Sequence, residues 1–135
     1  MFGNLLRLKR KTKSEKKLIE LAAKAAGVVG EYVENYSPGD YYADQFYCGN
    51  ELGILTGSLG CYHVWNPLTD DGDALRLAVK LQMEIYIDHK GVSVRTHCGF
   101  KALEKKCDAA ATRRAIVRAA AEIGSKLMGV DISIQ

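Results

Sequence analysis

At Leu81 the spacing of the apolar residues changes. Up to that point Ala74, Leu77, Ala78 and Leu81 recur at i, i+3, i+4 and i+7, the stripe of an amphipathic helix. Directly after it, Met83-Glu-Ile-Tyr-Ile-Asp-His and Val92-Ser-Val-Arg alternate with period two around Lys90-Gly91, the pattern of a β-hairpin. A helix that runs straight into an antiparallel pair hides both apolar surfaces when the helix lies on the sheet. The switch therefore predicts a layered α+β sandwich, with helices packed on a mainly antiparallel sheet.

The rest of the chain fits that frame. Thr12-Lys-Ser-Glu15 has the spacing of a capping box, Leu18, Leu21, Ala22 and Ala25 follow at helical spacing, and Gly27 is placed to end a first helix. From Val28 to Val64 aromatic and β-branched residues are broken by Pro38-Gly39, Gly49-Asn50, Gly53, Gly57 and Gly60. Short strands are expected near Val28–Val33, Gln45–Cys48, Leu52–Leu55 and Cys61–Trp65. A polar loop is expected through Cys98, Gly99 and Lys101 to Lys106. Asp108 then caps a third helix whose apolar face is Ile116, Ala119, Ala120, Ile123 and Leu127, with Gly129 at its end. Val130–Ile134 reads as a closing short strand. Residues 1–13 form a basic extension, and residues 14–135 one α+β domain, a reasonable size for a single core.

Charge is segregated along the chain. The net charge is +3, yet residues 1 to 17 hold seven basic residues (Arg7, Lys9, Arg10, Lys11, Lys13, Lys16 and Lys17) against Glu15 alone. Between Lys24 and Arg76 there is no Lys or Arg, while Glu31, Glu34, Asp40, Asp44, Glu51, Asp70, Asp71 and Asp73 all fall there. A basic leader thus precedes an acidic body, which speaks to partners more than to fold. No apolar run approaches a membrane span, and MFGNLLRLKRKTK lacks the h-region and cleavage site of a signal peptide, so a cytoplasmic, membrane-free protein is expected.

The candidate chemistry is sparse. Thr69-Asp-Asp-Gly-Asp73 concentrates carboxylates, but a calcium loop needs acids at alternate positions and a closing Glu, and none follows before Glu84. Asn66-Pro67 favours a turn, and Thr69, Asp70 or Asp71 can accept from first-turn amides, so the acids read as a helix start. Cys61, His63, Cys98 and Cys107 can be drawn as a zinc set, against reduced thiols in a reducing compartment; structural zinc ligands usually come in close pairs. His63, His89 and His97 are in no nucleophile–base pattern, Ser58 in Gly-Ser-Leu-Gly falls short of a nucleophile elbow, and the glycines lack a P-loop's Gly-Lys-Ser/Thr. No cofactor is implied, and the chain reads as a non-enzyme.

Two surfaces carry more. On the third helix Arg114 and Arg118 share a face that Glu122 continues, with Arg113 beside them: a solvated face with an Arg–Glu pair, or a nucleic-acid stripe supporting Arg7, Lys9, Arg10 and Lys11 of the leader. A surface of the opposite kind interleaves Tyr32, Tyr36, Tyr41, Tyr42, Phe46, Tyr47, Tyr62 and Trp65 with acids. Rings offer contact area at small entropic cost and carboxylates pair with an Arg-rich partner, so this region can bind a protein while imitating nucleic-acid charge. An aromatic core with an acidic solvent face explains the same residues.

Residues 16–27 (KKLIELAAKAAG), 65–81 (WNPLTDDGDALRLAVKL) and 111–124 (ATRRAIVRAAAEIG) resemble a family of small hypothetical proteins of enterobacterial phages and prophages. The order of Pro-x-Thr-Asp, helix, hairpin and final Ala-rich helix is similar to the phage ABA sandwich domain, and implies a helix–sheet–helix layering. The resemblance carries no catalytic or ligand motif. The leader and the long aromatic segment between Tyr32 and Tyr62 depart from it. Small phage accessory proteins commonly bind host proteins, immune components included, so the resemblance implies an anti-defence inhibitor of a host or defence-system protein. Its expected contact residues are Glu31, Glu34, Tyr36, Asp40, Tyr41, Tyr42 and Asp44.

Overall fold

A computed structural model of the chain describes residues 15–36, 51–58 and 61–129. Helix α1 covers residues 15–26 and is followed by β1 (Glu31–Tyr36), β2 (Glu51–Ser58) and β3 (Cys61–Trp65). Then come α2 (Asp71–Lys80), β4 (Glu84–Asp88), β5 (Gly91–Arg95), β6 (Lys101–Glu104) and α3 (Ala109–Met128). The strands form two antiparallel sheets of three, in the orders β1-β2-β3 and β4-β5-β6. The expected α+β class is therefore what the chain adopts, with its strands divided between two sheets.

Backbone hydrogen bonds explain where the helices stop. Gly27 is left-handed (φ 72°), its N–H donates to Lys24 O, and Val28 N–H closes on Ala23 O at 2.9 Å. Because Val28 is used to close α1, the first strand begins at Glu31 and not at Val28 as its β-branched side chain suggests. Helix α2 ends in the same way without a glycine: Gln82 takes φ 53°, its N–H donates to Val79 O and Met83 N–H reaches Ala78 O. Helix α3 starts at Asp108, whose carboxylate accepts from Ala111 N at 2.8 Å, and ends at left-handed Gly129. Both of those ends are as expected. The capping partner Thr12 and the strands expected at Gln45–Cys48 and Val130–Ile134 lie outside the described residues.

Helix α3 is the hub. It packs on β5, β6 and α2, and Gly124 brings it so close to α1 that an added Cβ would sit 1.9 Å from Leu21 O. Its buried positions (Ala111, Ala115, Ile116, Val117, Ala119, Ala120, Ala121, Gly124 and Ser125) wrap most of its circumference, well beyond the single stripe expected. Of that stripe, Ile116, Ala119 and Ala120 are buried, Ile123 is half-buried and Leu127 is 70% exposed. Small side chains make this possible, since alanine lets helices approach closely on several sides. One core unites Ile19, Ala22 and Ala26 of α1, Ile54 and Trp65 of the first sheet, Leu77 of α2, Val92, Val94 and Ala102 of the second sheet, and the interior of α3.

One expected loop is a strand. Lys101–Glu104 pairs with β5 through Arg95↔Lys101, Val94↔Ala102, Ser93↔Leu103 and Val92↔Glu104. Its only buried residue is Ala102, so it has no hydrophobic alternation of its own and takes its conformation from its neighbour. The hairpin is also set one residue earlier than expected, with His89-Lys90 as the turn and Gly91 opposite Asp88 in the ladder.

Candidate functional site

The acids of Thr69–Asp73 are engaged in building the junction between β3 and α2. Asp70 caps the helix, its Oδ2 accepting from Asp73 N at 2.8 Å. Asp73, only 6% exposed, accepts from Asn66 N (3.0 Å) and from Arg76 Nη2 (2.8 Å). Asp71 holds Arg113 Nη1 at 2.6 Å, tying α2 to α3. Asn66 completes the joint: its side-chain amide donates to Leu52 O, its Oδ1 accepts from Leu68 N, and its carbonyl accepts from Thr69 N and Asp70 N. A cleft of about 540 Å³ opens beside it, lined by Glu51, His63, Asp70, Asp73 and Arg76 among others.

The α3 arginines are drawn inward. Arg113 donates to Leu68 O as well as to Asp71. Arg114 reaches Glu15 (3.5 Å) and Glu104 (3.4 Å), and Arg118 donates to Leu103 O (2.9 Å) and Glu104 Oε2 (3.1 Å). The ion pairs of Arg114 and Arg118 are thus with Glu104 on β6 and Glu15 on α1, where helical spacing suggests Glu122. Glu104 gave no signal in the sequence, because its role depends on β6 existing. Arg7, Lys9, Arg10 and Lys11 lie outside the described residues.

The acidic aromatic region divides between core and surface. In the register Tyr32↔Ile54↔Trp65 one face of the first sheet turns inward: Trp65 is buried, and half-buried Tyr32 packs against the core. The Lys16 ammonium lies 5.2 Å from the Tyr32 ring centre. On the other face Tyr36, opposite Glu51, is half-buried and Tyr62 is exposed. Among the described residues β1 is an edge strand of its sheet, and Glu31 and Glu34 on it are both exposed. The Tyr32 phenol is pushed above its usual range, first by burial and then by the charges of Glu34, Glu15 and Glu20. Asp40, Tyr41, Tyr42 and Asp44 lie outside the described residues.

The cysteines are scattered. Cys98 and Cys107 are exposed free thiols in the loops flanking β6, Cys61 opens β3, and Cys48 lies outside the described residues. Among the described residues no group of three or more His, Cys, Asp and Glu is arranged to hold a metal ion, and no helix is long and apolar enough to cross a membrane. Comparison with protein-family models, curated proteins and solved structures returned no match.

Proposed function

We propose that the chain is a phage-encoded, non-enzymatic accessory protein that binds and inhibits a host or immune-defence protein through the acidic edge of its first sheet. The observation that carries this reading is β1, an edge strand among the described residues, with Glu31 and Glu34 exposed and Tyr36 half-buried. The chain carries no Lys or Arg between Lys24 and Arg76, and the Lys16 ammonium of α1 lies over the Tyr32 ring of the same strand. An Arg-rich groove shaped for phosphates meets carboxylates and rings in a comparable arrangement, and Arg–carboxylate pairs are geometrically specific. The origin rests on the resemblance of residues 16–27, 65–81 and 111–124 to the phage family, and the host-side partner follows from that origin.

The test is affinity capture from host cells with the full chain and a charge-reversed form carrying Glu31→Lys, Glu34→Lys and Tyr36→Ala. A second variant reverses Asp40 and Asp44 and truncates Tyr41 and Tyr42 to Ala. A partner retained by the parent chain should be lost from both variants while their thermal unfolding stays close to the parent's. Retention of that same partner by both variants overturns the reading.

A further inference from the structure

The register of the second sheet sorts its side chains into two faces. Val92, Val94, Ala102 and Glu104 turn toward the helices. The opposite face carries two cross-strand rows, Glu84–Arg95–Lys101 and Tyr86–Ser93–Leu103. Tyr86 is 67% and Leu103 59% exposed, and Arg95 and Lys101 are exposed beside them. Lys90 in the hairpin turn and Lys105 and Lys106 just past β6 are exposed as well.

Within the strands this face is balanced, Glu84 and Asp88 against Arg95 and Lys101, and its positive excess comes from Lys90, Lys105 and Lys106 at its margins. Five Lys and Arg residues lie between His89 and Lys106 against one acid, Glu104, and that acid turns inward to Arg114 and Arg118. Glu84 stands opposite Arg95 in the ladder. Of the ion pairs among the described residues, none involves Lys90, Arg95, Lys101, Lys105 or Lys106. The α3 arginines, by contrast, all have carboxylate partners. Arg95 and Lys101 on the sheet and Lys90, Lys105 and Lys106 beside it are thus left to meet an external anion, whereas the α3 arginines are not.

We propose that the outer face of the second sheet binds single-stranded nucleic acid, a base stacking on Tyr86 while the phosphates follow Arg95 and Lys101 toward Lys105 and Lys106. An open antiparallel face with an exposed ring next to unpaired cations suits a strand whose bases are splayed, since every base has a π-face and stacking tolerates sequence. A duplex hides those faces, so it would use the cations and leave Tyr86 idle. The site is separate from the acidic edge of β1, and either can fail without the other.

The experiment measures fluorescence anisotropy of a short labelled oligothymidylate against the full chain over a series of salt concentrations. Binding should weaken steeply as salt rises, because cations on the protein displace counterions from the phosphates. Tyr86→Ala should weaken it about tenfold, the order expected of one stacked base, and Tyr86→Phe should restore most of it. Arg95→Glu with Lys101→Glu should weaken it further and flatten the salt dependence. A full-length variant with Arg7, Lys9, Arg10 and Lys11 changed to Gln separates the leader, and should keep the loss caused by Tyr86→Ala. All the substituted sheet residues are exposed, so unchanged thermal unfolding accompanies each supporting result. The proposal is overturned by no binding at low salt, by equal binding of a duplex, by displacement with polyglutamate at matched charge, or by binding that ignores the sheet variants.

Discussion

Asp73 shows how a residue that looks catalytic becomes structural. Its carboxylate has one oxygen on a backbone N–H and the other on a guanidinium, both within 3.0 Å. Truncation to Ala leaves the buried Asn66 N–H without an acceptor, at a cost of about 2 kcal/mol, which chemical denaturation will register as a lower midpoint at an unchanged slope. Gly124 is the corresponding steric case. With Leu21 O 1.9 Å from the position of an added Cβ, Gly124→Ala must push α1 away from α3, and overpacking of this kind costs roughly 1–3 kcal/mol. Tyr32 supplies a pH signature. Its phenol keeps its proton to higher pH in the fold than in the unfolded chain, so above the ordinary pKa of 10.0 the unfolded state releases a proton that the native state holds. Stability contributed below that pH is therefore lost as pH rises through the shifted value, and Tyr32→Phe should flatten the alkaline fall in melting temperature relative to the parent chain.

Among elements, β6 and α3 depend on one another. The strand Lys-Ala-Leu-Glu has one buried residue, Ala102, and no pattern to announce it, and what holds it is the ladder to β5 on one side and the arginines of α3 on the other. Glu104 is the shared partner of Arg114 and Arg118, partly shielded from water. Glu104→Ala should cost about 1–2 kcal/mol, more than an exposed surface pair contributes. The loss should shrink as salt rises, and amide exchange should quicken at β6 before it does in α3. The end of α2 teaches a related lesson. Its two closing hydrogen bonds are those that glycine usually serves, but Gln82 adopts the left-handed conformation, so no residue type marks the stop. The change of apolar period at Leu81 marks it instead.

Across the whole molecule, two sheets share one apolar interior. The core joins residues of α1, both sheets, α2 and α3 without a break, so the chain should unfold in one step. Trp65 is the only tryptophan and is buried on the first sheet, whereas α3 dominates the helical signal. Its fluorescence and the far-ultraviolet circular dichroism should therefore trace coincident transitions; separated midpoints would mean that the first sheet melts alone.

The sequence by itself determined the helices α2 and α3, the hairpin of β4 and β5, strand β3 and the α+β class. Each rests on apolar spacing and capping chemistry that act over a few neighbouring residues. It also determined that the acids at Asp70–Asp73 begin a helix, because exposed first-turn amides need acceptors wherever the rest of the chain lies. Only the tertiary structure decided the division of the strands into two sheets, the existence of β6, the inward commitment of Arg113, Arg114 and Arg118, and the exposure of Tyr86 beside Arg95 and Lys101. Those outcomes depend on pairings between residues distant along the chain: Glu104 with Arg118, Leu21 with Gly124, Asp71 with Arg113. Local periodicity says which side of an element is apolar; what that element meets, and which charges it leaves free, is set by the packing of the others around it.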